Sequence, residues 1–189
     1  MGKLLICITG MPGSGKTTVA DFGREKGIEV ISMGEEVRNE ALRRNYQIDS
    51  KGLAYTMLKL REEKGATAVA ELCIPKINSS KSKVIIIDGI RSLEEVKVFK
   101  RLGEAKLLSI HTSPLRRFEF LKNRRREDAL LSKEELDERD RRELKVGLGE
   151  AIALADEIII NDSDLKELKE KANLIFEKWL NEFKDKDHC

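Results

Sequence analysis

Aromatic side chains are scarce in this chain of 189 residues: one Trp, two Tyr and six Phe, 5% of the total. Proteins that hold single-stranded nucleic acid stack bases on such rings, so the composition argues against that class. An excess of one charge sign is also missing. Lys and Arg number 36 against 34 Asp and Glu, for a net charge of +2. A basic nucleic-acid binder and an acidic disordered tail both need a strong bias, and no nucleic-acid partner is expected. The three cysteines, Cys7, Cys73 and Cys189, lie far apart, and His111 and His188 are the only histidines. That leaves no spacing for a zinc site; a reduced, cytoplasmic protein with incidental thiols is the expectation. No apolar run approaches the roughly 20 residues of a membrane span, and the run Leu4 to Ile8 is too short for a signal peptide. No membrane partner is expected. The single Gln among many Lys, Arg and Glu fits a heat-adapted organism.

What the chain has is alternation. Five short apolar runs read as buried parallel strands: Leu4 to Thr9, Ile28 to Ser32, Lys83 to Asp88, Lys106 to His111 and Glu157 to Asn161. Helix-length segments separate them, which predicts an α/β fold with helices on both faces of a parallel sheet. Thr17 to Lys26 is helix-compatible and stops at Gly27. Gly52 to Lys64 repeats apolar residues at helical spacing. Ser113-Pro114 forms an N-cap followed by proline at the first helical position. Ser132 to Glu135 is a capping box. The last helix begins near Asp164, with Leu165, Leu168, Ala172, Ile175, Trp179 and Phe183 as its buried stripe. The segments between strands two and three and between strands four and five are longer than a simple crossover needs. They predict two mobile helical insertions.

The stretch after the first strand, Gly10-Met11-Pro12-Gly13-Ser14-Gly15-Lys16-Thr17, fits G-x-x-x-x-G-K-[ST], the phosphate-binding P-loop. Glycines let successive backbone N–H groups turn toward one anion, and the helix that starts there adds its own free N–H groups and dipole. Thr18 continues that helix start. Lys16 supplies a point charge for the outer phosphates of ATP, and Thr17 a hydroxyl for Mg²⁺. Asp88, at the end of strand three, is the natural second acid for Mg²⁺ and its waters. Gly89 follows it, so the paired acid with which many ATP-driven machines activate water is missing. No N-K-x-D guanine-reading sequence occurs, which argues against a GTPase.

Arginines complete the pattern. Arg38, on the helix after strand two, and Arg91, just beyond strand three, belong at the carboxyl edge of the sheet, where ligands bind in open α/β folds. Together they suit a second anion. A further cluster comprises Arg124, Arg125, Arg126, Arg139, Arg141 and Arg142. Arg139 and Arg142 stand one helical turn apart. Phosphoryl transfer spreads negative charge that such groups neutralise, although pairing with Glu135 and Glu138 accounts for them equally simply.

"ISMGEEVRNEA" and "IIIDGIR" resemble the nucleoside monophosphate kinases, adenylate kinase in particular. The resemblance implies a P-loop NTPase fold with sheet order 2-3-1-4-5, forming one domain over residues 1–189. It implies a helical acceptor-binding insertion over 35–75 and a lid over 122–146. It also implies an ATP- and Mg²⁺-dependent kinase, with AMP as its acceptor. Arg38 and Arg91 would hold the acceptor phosphate beside Gly34 and Glu35, and Arg124, Arg126, Arg139 and Arg142 would be lid arginines. "ALADEIIIN" is similar to dephospho-coenzyme A kinase, which places Asn161 near the adenine of ATP and offers dephospho-coenzyme A as an alternative acceptor. "DGIRS", "RRRED", "DERDRRE" and "ALADEIIIN" together resemble an archaeal adenylate-kinase-related group over nearly the full length. A monomer or weak homodimer is expected. The contrasting expectation is a protein that binds ATP and AMP without turnover and signals to a partner.

Overall fold

Every residue from Leu4 to Ile8 is apolar and fully buried, as a strand covered on both faces requires. In the computed structural model, which describes residues 2–123 and 132–187, this segment is β1 (Lys3–Thr9), the centre of a five-stranded sheet. Its companions are β2 (Glu29–Ser32), β3 (Val84–Ile90), β4 (Gly103–His111) and β5 (Glu157–Ile160). All pairings are parallel, in the order β2-β3-β1-β4-β5. The sheet order is the one the family resemblance implies, and the strands fall where the apolar runs place them. β3 runs two residues further than expected and β4 starts three earlier.

Alternate side chains of a strand face opposite ways. Leu4, Ile6 and Ile8 therefore join Ile86, Leu108 and Ile110 in a core under α1 (Lys16–Glu25) and α9 (Leu165–Asp187). Leu5 and Cys7 join Ile85, Ile87 and Leu107 in a second core on the other face. That core is closed by α4 (Ala68–Ser79), α5 (Leu93–Lys100) and α8 (Leu148–Ala153). Cys7 and Cys73 are buried free thiols within it. The buried stripe of α9 is Leu168, Ala172, Phe176, Trp179 and Phe183. Phe176 takes the central place expected for Ile175, and Leu165 is 67% exposed.

Between β2 and β3 the chain forms α2 (Met33–Arg43), α3 (Ser50–Lys64) and α4. The helix expected from Gly52 begins at Ser50, because the Asp49 side chain caps it by accepting from the Gly52 N–H at 2.7 Å. α4 runs through Pro75 to Ser79, four residues past the expected end of the insertion. Pro75 is exposed, so its ring faces away from the packed side. Between β4 and β5 lie α6 (Pro114–Lys122), α7 (Lys133–Val146) and α8. The Ser113 cap and the Ser132–Glu135 capping box are both formed. Arg124 and Arg126 fall outside the described residues.

One irregularity touches the site. β1 and β3 lose register between Ile8 and Thr9: Ile8 pairs with Asp88 but Thr9 with Ile90. Gly89 is the extra residue of a β-bulge, and its φ of 105° is readily adopted only by glycine.

Candidate functional site

The link from β1 to α1 carries three glycines at positive φ, namely Gly10, Gly13 and Gly15. The loop therefore curls over the N-terminus of α1. Lys16 Nζ lies inside the curl and donates to the Gly10 and Met11 carbonyls at 2.6 and 2.9 Å. Burial pulls its pKa down to about 8; the Asp88 carboxylate opposes this, and the Arg91 charge adds to it. The Thr17 hydroxyl donates to Asp88 Oδ2 at 3.1 Å.

Asp88 Oδ1 is buried with no hydrogen-bond partner among the described residues. Burial raises the Asp88 pKa against the opposing pull of Lys16, Thr17 and Arg91. An orphaned carboxylate oxygen beside a threonine hydroxyl is a hard-oxygen pair suited to Mg²⁺. No group of three or more His, Cys, Asp or Glu residues among those described could cage a metal.

Gly10, Pro12, Gly13, Gly15, Lys16 and Thr17 line one end of a cleft of about 320 Å³. Met11, Ser14 and Thr18 do not line it. The far end is formed by Ser32, Gly34, Glu35, Val37 and Arg38 from β2 and α2, and by Ser50, Leu53, Met57 and Arg61 from α3. Arg91, Arg139, Arg142 and Glu143 complete the wall. The Glu35 N–H is capped by Ser32 Oγ at 3.4 Å, while its side chain is exposed to the cleft. Arg38 is exposed and makes a long contact, 3.5 Å, with the Ile48 carbonyl.

Arg91 is differently placed from the expectation of an arginine open to an anion. Its Nε donates to Glu143 Oε2 at 2.8 Å and its Nη1 to the Gly89 carbonyl at 3.0 Å. The Glu143 charge raises the Arg91 pKa. Burial alone would raise the pKa of Glu143, but the Arg91, Lys16 and Arg139 charges outweigh it and keep the carboxylate ionised. Asn161 does not line the cleft. Its amide lies behind the P-loop and donates to the Ser14 carbonyl at 3.0 Å, which makes it a loop support.

Four charged residues around the site are absent from the candidates that the sequence offers. Glu95 is fully buried and accepts from Arg61 Nη2 at 2.8 Å and from the Arg91 N–H at 2.7 Å. Arg117, 3% exposed, pairs with Asp140. Glu143 and Asp140 both lie within "DERDRRE", where their repeated acid and base types are the available hint. α7, which makes up most of the described part of the expected lid, is thus tied to the body by two partly buried ion pairs, Arg91–Glu143 and Arg117–Asp140.

Comparison with known proteins agrees with this arrangement. A family model described as an AAA domain matches residues 9–137. A UPF0200 protein of Pyrococcus abyssi (strain GE5 / Orsay) is 42% identical over 182 residues, 94% of this chain and 97% of its own. One from Sulfurisphaera tokodaii is also 42% identical, covering 93% of this chain and 97% of its own. Among solved structures, TT1252 from Thermus thermophilus superposes with a TM-score of 0.67 at 22% identity, covering 94% of this chain and 98% of its own. Shikimate kinase from Bacteroides thetaiotaomicron gives 0.60 at 17%, covering 92% and 98%. These likenesses establish the P-loop kinase fold. No described helix is long and apolar enough to cross a membrane. With its glycine-rich loop, parallel sheet and near-complete coverage of those relatives, the chain belongs to the UPF0200 family and carries an AAA domain.

Proposed function

We propose that the protein is an ATP- and Mg²⁺-dependent phosphotransferase of the nucleoside monophosphate kinase type, with AMP as the leading acceptor. The observation that carries this reading is one continuous cleft with a phosphate loop at one end and guanidinium groups at the other. Backbone N–H groups of the loop and Lys16 hold the donor phosphates. Thr17 and Asp88 hold Mg²⁺, which neutralises phosphate oxygens when bound. Arg38, with Arg91, holds the acceptor anion beside Gly34 and Glu35, and the apolar side chains of Val37, Leu53 and Met57 cover its body. Arg139 and Arg142 face the same cleft and stabilise charge on the moving group. Catalysis is then positioning and electrostatics, without a covalent intermediate.

Incubation with MgATP and a panel of monophosphates tests this. Formation of a phosphorylated acceptor is expected, and no product from any acceptor rejects the kinase reading. A second reading has its own observation. An ionised Glu143 already occupies Arg91, which opposes a dianionic phosphate and suits a hydroxyl acceptor. Dephospho-coenzyme A belongs in the panel for that reason, and a phosphate ester as product would favour it over a phosphoanhydride.

Two further outcomes are expected. Arg38→Ala should raise the half-saturating acceptor concentration about tenfold, the loss of one hydrogen bond to a charged group, and leave that of ATP nearly unchanged. An effect confined to ATP would reverse the assignment of the two ends. The second concerns pH. With a free-state Lys16 pKa of about 8, a bound polyphosphate should raise that pKa. Binding then takes up protons above pH 8, and affinity falls as pH rises through that value. Calorimetry in buffers of different ionisation heat reads the uptake directly; no uptake at pH 8.5 would remove Lys16 from the phosphate site.

A further inference from the structure

The backs of two P-loop peptides are held by side chains from outside the loop. Arg117 Nη1 on α6 donates to the Pro12 carbonyl at 3.0 Å. Thr112 Oγ1 and Asn161 Nδ2 donate to the Ser14 carbonyl at 3.1 and 3.0 Å. No described peptide bond is cis. In a planar trans peptide the carbonyl and the following N–H point in opposite directions. Holding the Pro12 and Ser14 carbonyls outward therefore aims the Gly13 and Gly15 N–H groups the other way. Gly13 and Gly15 both line the cleft.

Arg117 differs from the other two holders. It is 3% exposed, and its charge is balanced by a bidentate pair with Asp140 of α7, at 2.9 and 2.6 Å. The same guanidinium thus reaches the phosphate loop with one arm and α7 with both. Gly13 is packed hard against α6: a Cβ there would lie 2.9 Å from the Arg117 carbonyl oxygen and 2.8 Å from Leu121 Cγ. The loop cannot shift toward α6, and Arg117 keeps it from turning. Arg139 and Glu143, on the helix that carries Asp140, face the cleft.

We infer that Arg117 is a positioning residue for the donor phosphates, acting through the Pro12–Gly13 peptide, and that Asp140 sets it from α7. The inference rests on reading the P-loop as the donor phosphate site. It adds a link between the aim of the loop's N–H groups and the placement of the helix bearing Arg139.

Binding of MgATP and of inorganic tripolyphosphate to the full chain, measured by calorimetry at a temperature where each variant is folded, tests it. Arg117→Met removes both arms. Arg117→Lys keeps the buried charge, so it folds even if the Met variant does not, but a single ammonium cannot reproduce the fork. Both variants should bind both ligands about tenfold more weakly, the loss of one charged hydrogen bond's orientation. Asp140→Asn should act in the same direction. Equal losses for the two ligands place the effect at the phosphates. A lowered melting temperature with polyphosphate affinity unchanged within about twofold would make Arg117 purely structural and overturn the inference. If the unmodified chain binds no polyphosphate, the donor-site reading itself fails, which the variants' behaviour is not needed to show.

Discussion

Lys16→Ala should cut turnover by about 10²- to 10³-fold, the usual loss when one preorganised charge-stabilising donor is removed, without lowering the melting temperature at pH 7. The first half follows from position. Lys16 Nζ sits among the loop carbonyls of Gly10 and Met11, on the wall that Thr17 and Asp88 share. The second half follows from sign. A lysine whose pKa falls to about 8 on folding is charged more readily in the unfolded chain. Its charge therefore opposes folding below pH 8, and the opposition fades as pH rises through 8 toward the ordinary lysine value. Removing the ammonium removes that opposition, along with two hydrogen bonds to carbonyls. Calorimetric melting and steady-state kinetics on the same preparation check both halves. Full turnover in a variant that melts like the parent would take Lys16 out of the chemistry.

Glu95→Ala should destabilise the fold by about 3–5 kcal/mol, the range for breaking a buried ion pair from one side. Glu95 is fully buried and serves two elements at once. It neutralises Arg61 from α3 and accepts from the Arg91 N–H at the end of β3. Truncation leaves Arg61, whose side chain is only 12% exposed, without that carboxylate. For a chain of this size the loss corresponds to a fall in Tm of roughly 6–20 °C. Glu95→Gln keeps an acceptor oxygen for the Arg91 N–H and should fall between the two. Thermal unfolding that differs by less than about 2 °C from the parent would mean that the α3–α5 contact is not held by this carboxylate.

The parts of this molecule that were legible in the sequence are those fixed by neighbours in the chain. The P-loop, the five strands and the caps at Ser113 and Ser132 each depend on a few consecutive residues. The sheet order came through the family resemblance. The partners of the site's charges were not legible, because they are remote. Arg91 meets Glu143 52 positions away, Arg61 meets Glu95 34 away, and Arg117 reaches the Pro12 carbonyl across 105. Composition shows that such charges exist, not which of them meet. Asn161 illustrates the same gap. The sequence shows an amide near the P-loop side of the sheet, but its direction depends on Ser14, 147 residues earlier. On α9 the adjacent apolar residues Leu174, Ile175 and Phe176 leave the helical phase open, and packing against the sheet decides it for Phe176. The insertion ends at Ser79 and not at 75, because α4 carries Pro75 on its exposed side and continues one turn beyond it.

The irregular tip of β3 has a counting consequence. On an unbroken pleated strand, residues an even number apart share a side and residues an odd number apart do not. Asp88 and Arg91 are separated by three, yet both line one cleft. The supernumerary Gly89 changes the parity, so the odd interval works here. A regular strand tip in this chain would turn a residue three positions past Asp88 to the opposite side, so shortening the interval by one residue and straightening the bulge would have to happen together. In this chain the small residue at 89 and the three-residue interval from Asp88 to Arg91 are one geometric unit, and replacing either alone would swing the guanidinium out of line with the acid.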